Sequence, residues 1–359
     1  MALHRVSLPK AAANLFRVVA FQKRLLKALA DPALDPKAID AAWVQNVRRR
    51  LLTPEWVRRF CLDGQEDRIR AIAAATLTAR RALYEEFCRQ NRRQAWPTAG
   101  GNFQDLSSLP GFNAVLAEQV KVFFERCYKL LSHDKNRRWL GYEFRGGRVI
   151  SNRSYKEDFC GEPPTNVVCP YCDGEIGTPE LDHYLAKSRF PLLACSPWNL
   201  LPVCHSCNNA VTGKGDNLMI TLGPPYSTAD WLHPFFRPAT DHVRMRLDGA
   251  PKKPIPQLHS PDASEQRCLD SHTSAIPSLP ERWERKAAAY YAELVRTVRR
   301  RNAIPALDSI VKTALVDCLD ERGKSPSSMV KAAVCQAVLD LRPEFIEEFT
   351  APSNAPGLA

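Results

Sequence analysis

No apolar run in these 359 residues approaches the ~20 that a membrane-spanning helix needs, so a membrane is not an expected partner. The opening residues, Met1-Ala2-Leu3-His4-Arg5, show no secretory leader core and cleavage site, which points to a cytoplasmic chain. There is no internal repeat. Acidic excess is also missing: 50 Lys+Arg stand against 39 Asp+Glu, a net charge of +11. Twelve cysteines would suit a disulfide scaffold in a secreted protein, but without a leader reduced thiols are the better expectation. What is present is ordinary for a soluble globular protein, with 45% hydrophobic and 25% charged residues. The length suits two or three domains.

The positive charge is unevenly placed. Residues 1–160 hold 29 Lys+Arg and 16 Asp+Glu, a balance of 29 − 16 = +13. Residues 161–359 hold 21 and 23, a balance of 21 − 23 = −2. A polyanion is the natural partner for the basic part, and DNA is the expected one.

Four of the cysteines form two Cys-x-x-Cys pairs, Cys169/Cys172 and Cys204/Cys207. Two intervening residues let both thiolates of a pair reach one ion, and two pairs complete the tetrahedral shell of zinc. The gap between the pairs is 204 − 172 − 1 = 31 residues, longer than the ~15–20 of a zinc ribbon. Something is therefore inserted between the knuckles. A redox pair or ordinary buried thiols are the plainer alternatives, and the doubled spacing favours zinc over both.

The insert carries the polar residues. Glu180-Leu181-Asp182-His183-Tyr184-Leu185 reads as a short strand, and Asn199-Leu200-Leu201-Pro202-Val203 as its return strand. A helix beginning near Ser206 would present Asn208 from its first turn. Hydrolysis of a phosphodiester needs a base for water and a cation to stabilise charge on phosphorus and the leaving oxygen. Histidine titrates near neutrality, so His183 can accept the proton. Asp182 and Asn208 offer hard oxygen ligands suited to Mg²⁺ or Mn²⁺. Neighbouring strand residues face opposite ways, so Asp182 and His183 can share one site only at a strand end or bulge.

Strand, loop, strand and helix around a metal make a ββα-metal arrangement. The stretch from Cys169 to about Lys214 resembles the HNH endonuclease family, in the variant whose last motif position is asparagine. Asn199 and Asn208 are 9 residues apart (208 − 199), which suits that family's strand-to-helix step. The resemblance implies His183 as base, Asp182 and Asn208 as ligands of a catalytic ion, and Asn199 holding the loop that aims the base. Related sequences often carry proline where Ala186 stands here. His205, inside the second knuckle, reads as an exposed spacer before a ligand or a phosphate contact. Lys187, Arg189 and Lys214 are candidate phosphate contacts.

Before the first knuckle, a basic and aromatic segment suggests a hairpin around Gly146-Gly147. Arg145, Arg148 and Arg153 in that segment are candidate DNA contacts, interleaved with aromatics such as Tyr142, Phe144 and Tyr155; a packed hairpin with solvated arginines is the plainer alternative. The N-terminal region reads as helices over about 8–29, from Asp35-Pro36 to Leu52, over Pro54–Cys61, over 65–95 and over 113–132. Residues 249–280 read as a poorly ordered linker, with Trp231-Leu232-His233-Pro234-Phe235-Phe236 as an apolar anchor before it. His233 reads as a packed structural histidine. Helices are expected again over 281–301, 306–320 and 325–341.

The fold class is therefore α+β and mostly α-helical, with a small central ββα-metal module flanked by helical regions. The divisions are a basic helical region at 1–160, the zinc-knuckle module at 161–222, a proline-rich linker at 223–280 and C-terminal helices at 281–350. The function expected is DNA cleavage with one divalent ion, in a setting of defence, restriction or mobile elements. The flanking helices could read DNA, bind a protein partner such as an ATPase, or hold the nuclease inactive. Rival readings are a zinc-knuckle DNA-binding module that does not cut, and a nuclease directed at RNA.

Overall fold

The computed structural model describes residues 4–48, 52–96, 102–132, 152–161, 167–217, 226–227, 232–239, 244–248, 255–300, 306–341, 345 and 349. The fold is α+β and mostly helical, as the sequence predicts. Helices α1 (Ala12–Leu29), α2 (Ala41–Arg48), α3 (Pro54–Cys61), α4 (Glu66–Ala74), α5 (Leu77–Gln90) and α6 (Ala114–Ser132) come first. Helix α7 (Asn152–Cys160) leads to the first knuckle, and α8 (His205–Asn208) starts inside the second. Helices α9 (Ala263–Ala275), α10 (Leu279–Arg300), α11 (Leu307–Asp320) and α12 (Ser328–Asp340) form the C-terminal part. Among the described residues no helix is long and apolar enough to cross a membrane.

Among the described residues the strands pair in three antiparallel ribbons: β1 (Asn102–Phe103) with β4 (Tyr226–Ser227), β2 (Glu180–His183) with β3 (Leu200–Val203), and β5 (Arg244–Asp248) with β6 (Ile255–His259). In the central ribbon Glu180 faces Val203, Asp182 faces Leu201 and His183 faces Leu200.

Two hydrophobic cores flank that ribbon. One joins α1 to α6 around Phe21, Phe60, Phe87, Phe123 and Phe124. The other joins the four knuckle cysteines to the C-terminal helices through Trp283, Tyr291, Val295 and Val334. Strand alternation splits β3 between them: Leu200 packs into the first core, Leu201 and Val203 into the second. The candidate site thus sits where two helical masses meet on one hairpin.

Several elements differ from the sequence reading. The helix expected over 65–95 is broken between α4 and α5, where the Thr76 hydroxyl accepts from the backbone N–H of Ala79 at 3.2 Å and caps a new helix. Asp35 caps only a three-residue 3₁₀ turn (Pro36–Ala38), and Asp40 restarts the helix by accepting from Trp43 N–H at 2.8 Å. The expected linker over 249–280 contains β6 and α9 instead, and the side chain of Asp262 caps α9. Tyr155 is buried, and its hydroxyl donates to the carbonyls of Pro197 and Leu200. The suggested hairpin around Gly146-Gly147 lies outside the described residues.

Candidate functional site

The sulfurs of Cys169, Cys172, Cys204 and Cys207 all lie within 4.8 Å of one another, and all four residues are buried. Four thiolates at ~2.3 Å from one tetrahedral ion stand ~3.8 Å apart. The Cys172 and Cys204 sulfurs are 3.7 Å apart, so the donor set fits and could hold a zinc ion. The C-terminal helices clasp this cluster. Arg282 donates to Cys207 Sγ at 3.2 Å and supplies a positive charge beside the thiolates. Trp283 Nε1 donates to the Cys172 carbonyl at 2.9 Å, and His272 Nε2 to the Tyr171 carbonyl at 2.7 Å. Asp173 turns the first knuckle with φ 59°. Its buried carboxylate accepts from the backbone N–H groups of Met329 and Val330, capping α12, and meets His4 Nε2 at 2.6 Å.

His183 ends β2 and points toward α6. Its ring stands 4.4 Å from the Tyr128 ring, edge to face, and its Nε2 lies 3.0 Å from the Ala194 carbonyl. A carbonyl only accepts, so Nε2 carries the proton and Nδ1 keeps its lone pair. Burial, then the nearby cation of Lys187, lowers its pKa to about 3, so the ring is neutral across the physiological range. Asn199, wholly buried, spans the loop between the strands. Its Oδ1 accepts from Leu185 N–H at 2.7 Å, and its Nδ2 donates to the carbonyls of Leu185 and Leu193. That clamp fixes the turn that presents the Ala194 carbonyl to His183.

Asp182 faces the other way, as alternation requires. Tyr171 donates its hydroxyl to Asp182 Oδ2 at 2.6 Å, and Lys214 Nζ lies 3.2 Å from the carboxylate. The expected phosphate contact of Lys214 is corrected here. Its side chain is fully buried, and its ammonium also donates to the carbonyls of His183 and Gly215. Gly213 makes this inward turn possible: a Cβ there would stand 2.6 Å from the carbonyl oxygens of Ser206 and Cys207.

Asn208 does not hydrogen-bond Asp182. Its Nδ2 donates to Glu180 Oε2 at 2.7 Å, and His205 Nδ1 donates to Glu180 Oε1 at 2.6 Å. Burial alone would push the Glu180 carboxyl up, but these two hydrogen bonds outweigh it and hold the group low. The same bond to Glu180 raises the pKa of His205, which is 74% exposed. Lys187 lies beside the site, its ammonium 5.8 Å from the centre of the Tyr128 ring. Arg189 is half-exposed and 3.8 Å from Asp105. Arg153 falls in the first turn of α7, and Arg145 and Arg148 lie outside the described residues.

His233 is buried in an aromatic cluster, its ring 4.6 Å from Tyr184 and 4.9 Å from Trp96, as a packed structural histidine should be. Tyr171, Glu180, Asp173 and Arg282 were not singled out by their sequence context. For Glu180 a signal exists: it stands two residues before Asp182 and shares its strand face. The Gly213-Lys214-Gly215 triplet is the corresponding signal for an inward lysine.

No family model matches the chain. Part of it is similar to Protein ea31 of Escherichia phage lambda. The two are 30% identical over 101 residues, which is 28% of this chain and 29% of that protein. The chain thus matches less than a third of that relative's length. No solved structure matches.

Proposed function

We infer that this chain is a metal-dependent endonuclease of the HNH kind, hydrolysing phosphodiester bonds in DNA, with a structural zinc in the four-cysteine site. The observation that supports it most is the mounting of His183. One ring nitrogen is fixed as donor to the Ala194 carbonyl, the other is left as acceptor, and Asn199 clamps the intervening loop. A histidine held in one tautomer is what general-base chemistry needs. The buried setting makes the free base weak. The anionic phosphodiester opposes the cations beside it, so substrate binding raises its basicity. Lys187 is placed to meet a phosphate near that ring. A bound Mg²⁺ or Mn²⁺ would supply charge stabilisation at the phosphate and leaving oxygen. The resemblance assigns that ion to Asp182 and Asn208.

The basic excess of residues 1–160 supports a polyanionic partner, and the phage source of the partial relative fits a mobile-element or defence setting. The direct test is supercoiled plasmid incubated with purified protein, with and without Mg²⁺ or Mn²⁺. Cleavage should require the ion. His183→Ala should lower its rate by about 10²–10⁴-fold while leaving zinc content and DNA affinity in place. Added metal should not rescue that variant. DNA binding without any cleavage would instead leave a zinc-knuckle binding module, and cleavage confined to single-stranded RNA would redirect the activity.

A further inference from the structure

The site holds two carboxylates on one face of β2, and the structure treats them differently. Asp182 is buried, and its charge is already answered. It takes a hydroxyl hydrogen from Tyr171 and stands 3.2 Å from the enclosed ammonium of Lys214. A divalent ion entering there would meet a fixed positive charge that cannot move into water without opening the fold. Glu180, two residues earlier, is 37% exposed; its charge is met by the imidazole of His205 and, less closely, by the ammonium of Lys156, neither of them buried. Its second oxygen holds the amide of Asn208, the residue whose motif position calls for a metal ligand.

We propose that Glu180, with Asn208 and His205, forms the divalent-cation site of this chain, and that Asp182 is instead the buried counter-charge of Lys214. The proposal rests on the nuclease reading for the purpose of the ion, but not for its place. The donor set fits a hard or borderline ion: a carboxylate oxygen, an amide oxygen and an imidazole nitrogen. Half a turn of the Asn208 amide exchanges its NH₂ for its oxygen at the position facing Glu180. Adjacent ligands of an octahedral ion with bonds of ~2.1 Å stand ~3 Å apart. The present contacts of 2.7 Å and 2.6 Å need to open by only a few tenths of an ångström. To ligate, His205 releases its Nδ1 proton to solvent, which breaks the hydrogen bond to Glu180 and leaves the Nδ1 lone pair for the ion, while Nε2 keeps its hydrogen. A nitrogen donor favours Mn²⁺ over Mg²⁺. The four-residue helix α8 carries both His205 and Asn208 and begins at the second knuckle, so a filled zinc site holds both donors in register.

The test is Mn²⁺ binding to the full-length, zinc-loaded protein, followed by the loss of the free-ion signal in electron paramagnetic resonance, with zinc measured in the same samples. Glu180→Gln, on an exposed position, should fold normally, keep its zinc and bind Mn²⁺ at least about tenfold more weakly. Asp182→Asn should keep most of the Mn²⁺ affinity, though its folding stability should fall. Unchanged Mn²⁺ affinity in Glu180→Gln overturns the proposal, as does a parent protein that binds no Mn²⁺. Plasmid cleavage by the parent separates the two readings. Cleavage with an unaffected Glu180→Gln leaves the nuclease standing and removes this ion site. Weakened Mn²⁺ binding without parental cleavage keeps the ion site and removes the nuclease.

Discussion

At the scale of single residues, the histidines show how far burial departs from sequence expectation. His183, His233 and His272 are all buried, and only His183 was singled out as catalytic. Burial pushes His233 and His272 well below the usual histidine value. The native state keeps both neutral, whereas in the unfolded chain they protonate near pH 6.5. Below that point the unfolded state binds protons that the native state excludes, so stability falls as pH falls, and above about pH 7 the two histidines add no pH dependence. Each contributes up to about 1.4 kcal/mol per pH unit over that acid range. Urea midpoints at pH 7.5, 6.5 and 5.5 should fall across the lower step, and His272→Gln should flatten part of the fall. A midpoint constant from pH 7.5 to 5.5 would contradict this. Residue types and spacing made the gathering of the four cysteines readable, whereas the roles expected of Asp182, His183 and Asn199 stand as proposals. The inward turn of Lys214 was not, because a loop lysine is ordinarily solvated and only the glycines beside it mark the exception.

At the scale of elements, strong start signals carried through and weak ones did not. Thr53-Pro54-Glu55 predicts a helix over Pro54–Cys61, and α3 has those bounds with Thr53 accepting from Trp56 N–H at 3.1 Å. The C-terminal helices also fall close to their expected spans. The break between α4 and α5 escaped because it uses no proline or glycine. It depends on one hydroxyl at Thr76, in a loop where Gly111 packs within 3.0 Å of that oxygen if given a Cβ. Thr76→Ala should therefore cost about 0.5–2 kcal/mol of stability, in the range of a lost helix cap, with little change in helix content by circular dichroism. Thr76→Ser should recover most of it, since serine keeps the oxygen. An alanine variant as stable as the parent would mean that packing, not the cap, breaks the helix. The missed strand and helix within 249–280 have a similar origin: proline-rich composition reads as linker, but Pro256 lies within β6, Pro261 precedes the Asp262 cap of α9 and Pro277 follows that helix.

At the scale of the whole molecule, the four-cysteine centre is placed to unite segments that are far apart in sequence. Arg282 and Trp283 of α10, His272 of α9, the start of α12 and His4 all bond to the two knuckle residues and their neighbours. The same cysteines belong to the core that contains the C-terminal helices, while α1 to α6 close around a core of their own. Structural zinc contributes folding free energy directly. On the proposal that the four cysteines hold zinc, its removal should release more than the knuckles. With Cys169→Ser, or after chelation, hydrogen exchange read by mass spectrometry should rise together over 167–217 and over the helices between 263 and 341. The amides of α1, α3 and α6 should stay protected, because none of their core contacts passes through the sulfurs. Arg282→Ala should give a milder form of the same pattern and a faster loss of zinc to a chelator. If exchange rises in the knuckles alone, the C-terminal helices stand without the metal, and the clasp around Asp173 and Arg282 orients the centre rather than depending on it. If exchange rises everywhere at once, the hairpin between the cores couples them, and the strand that divides its leucines between the two sides is the element that carries the coupling.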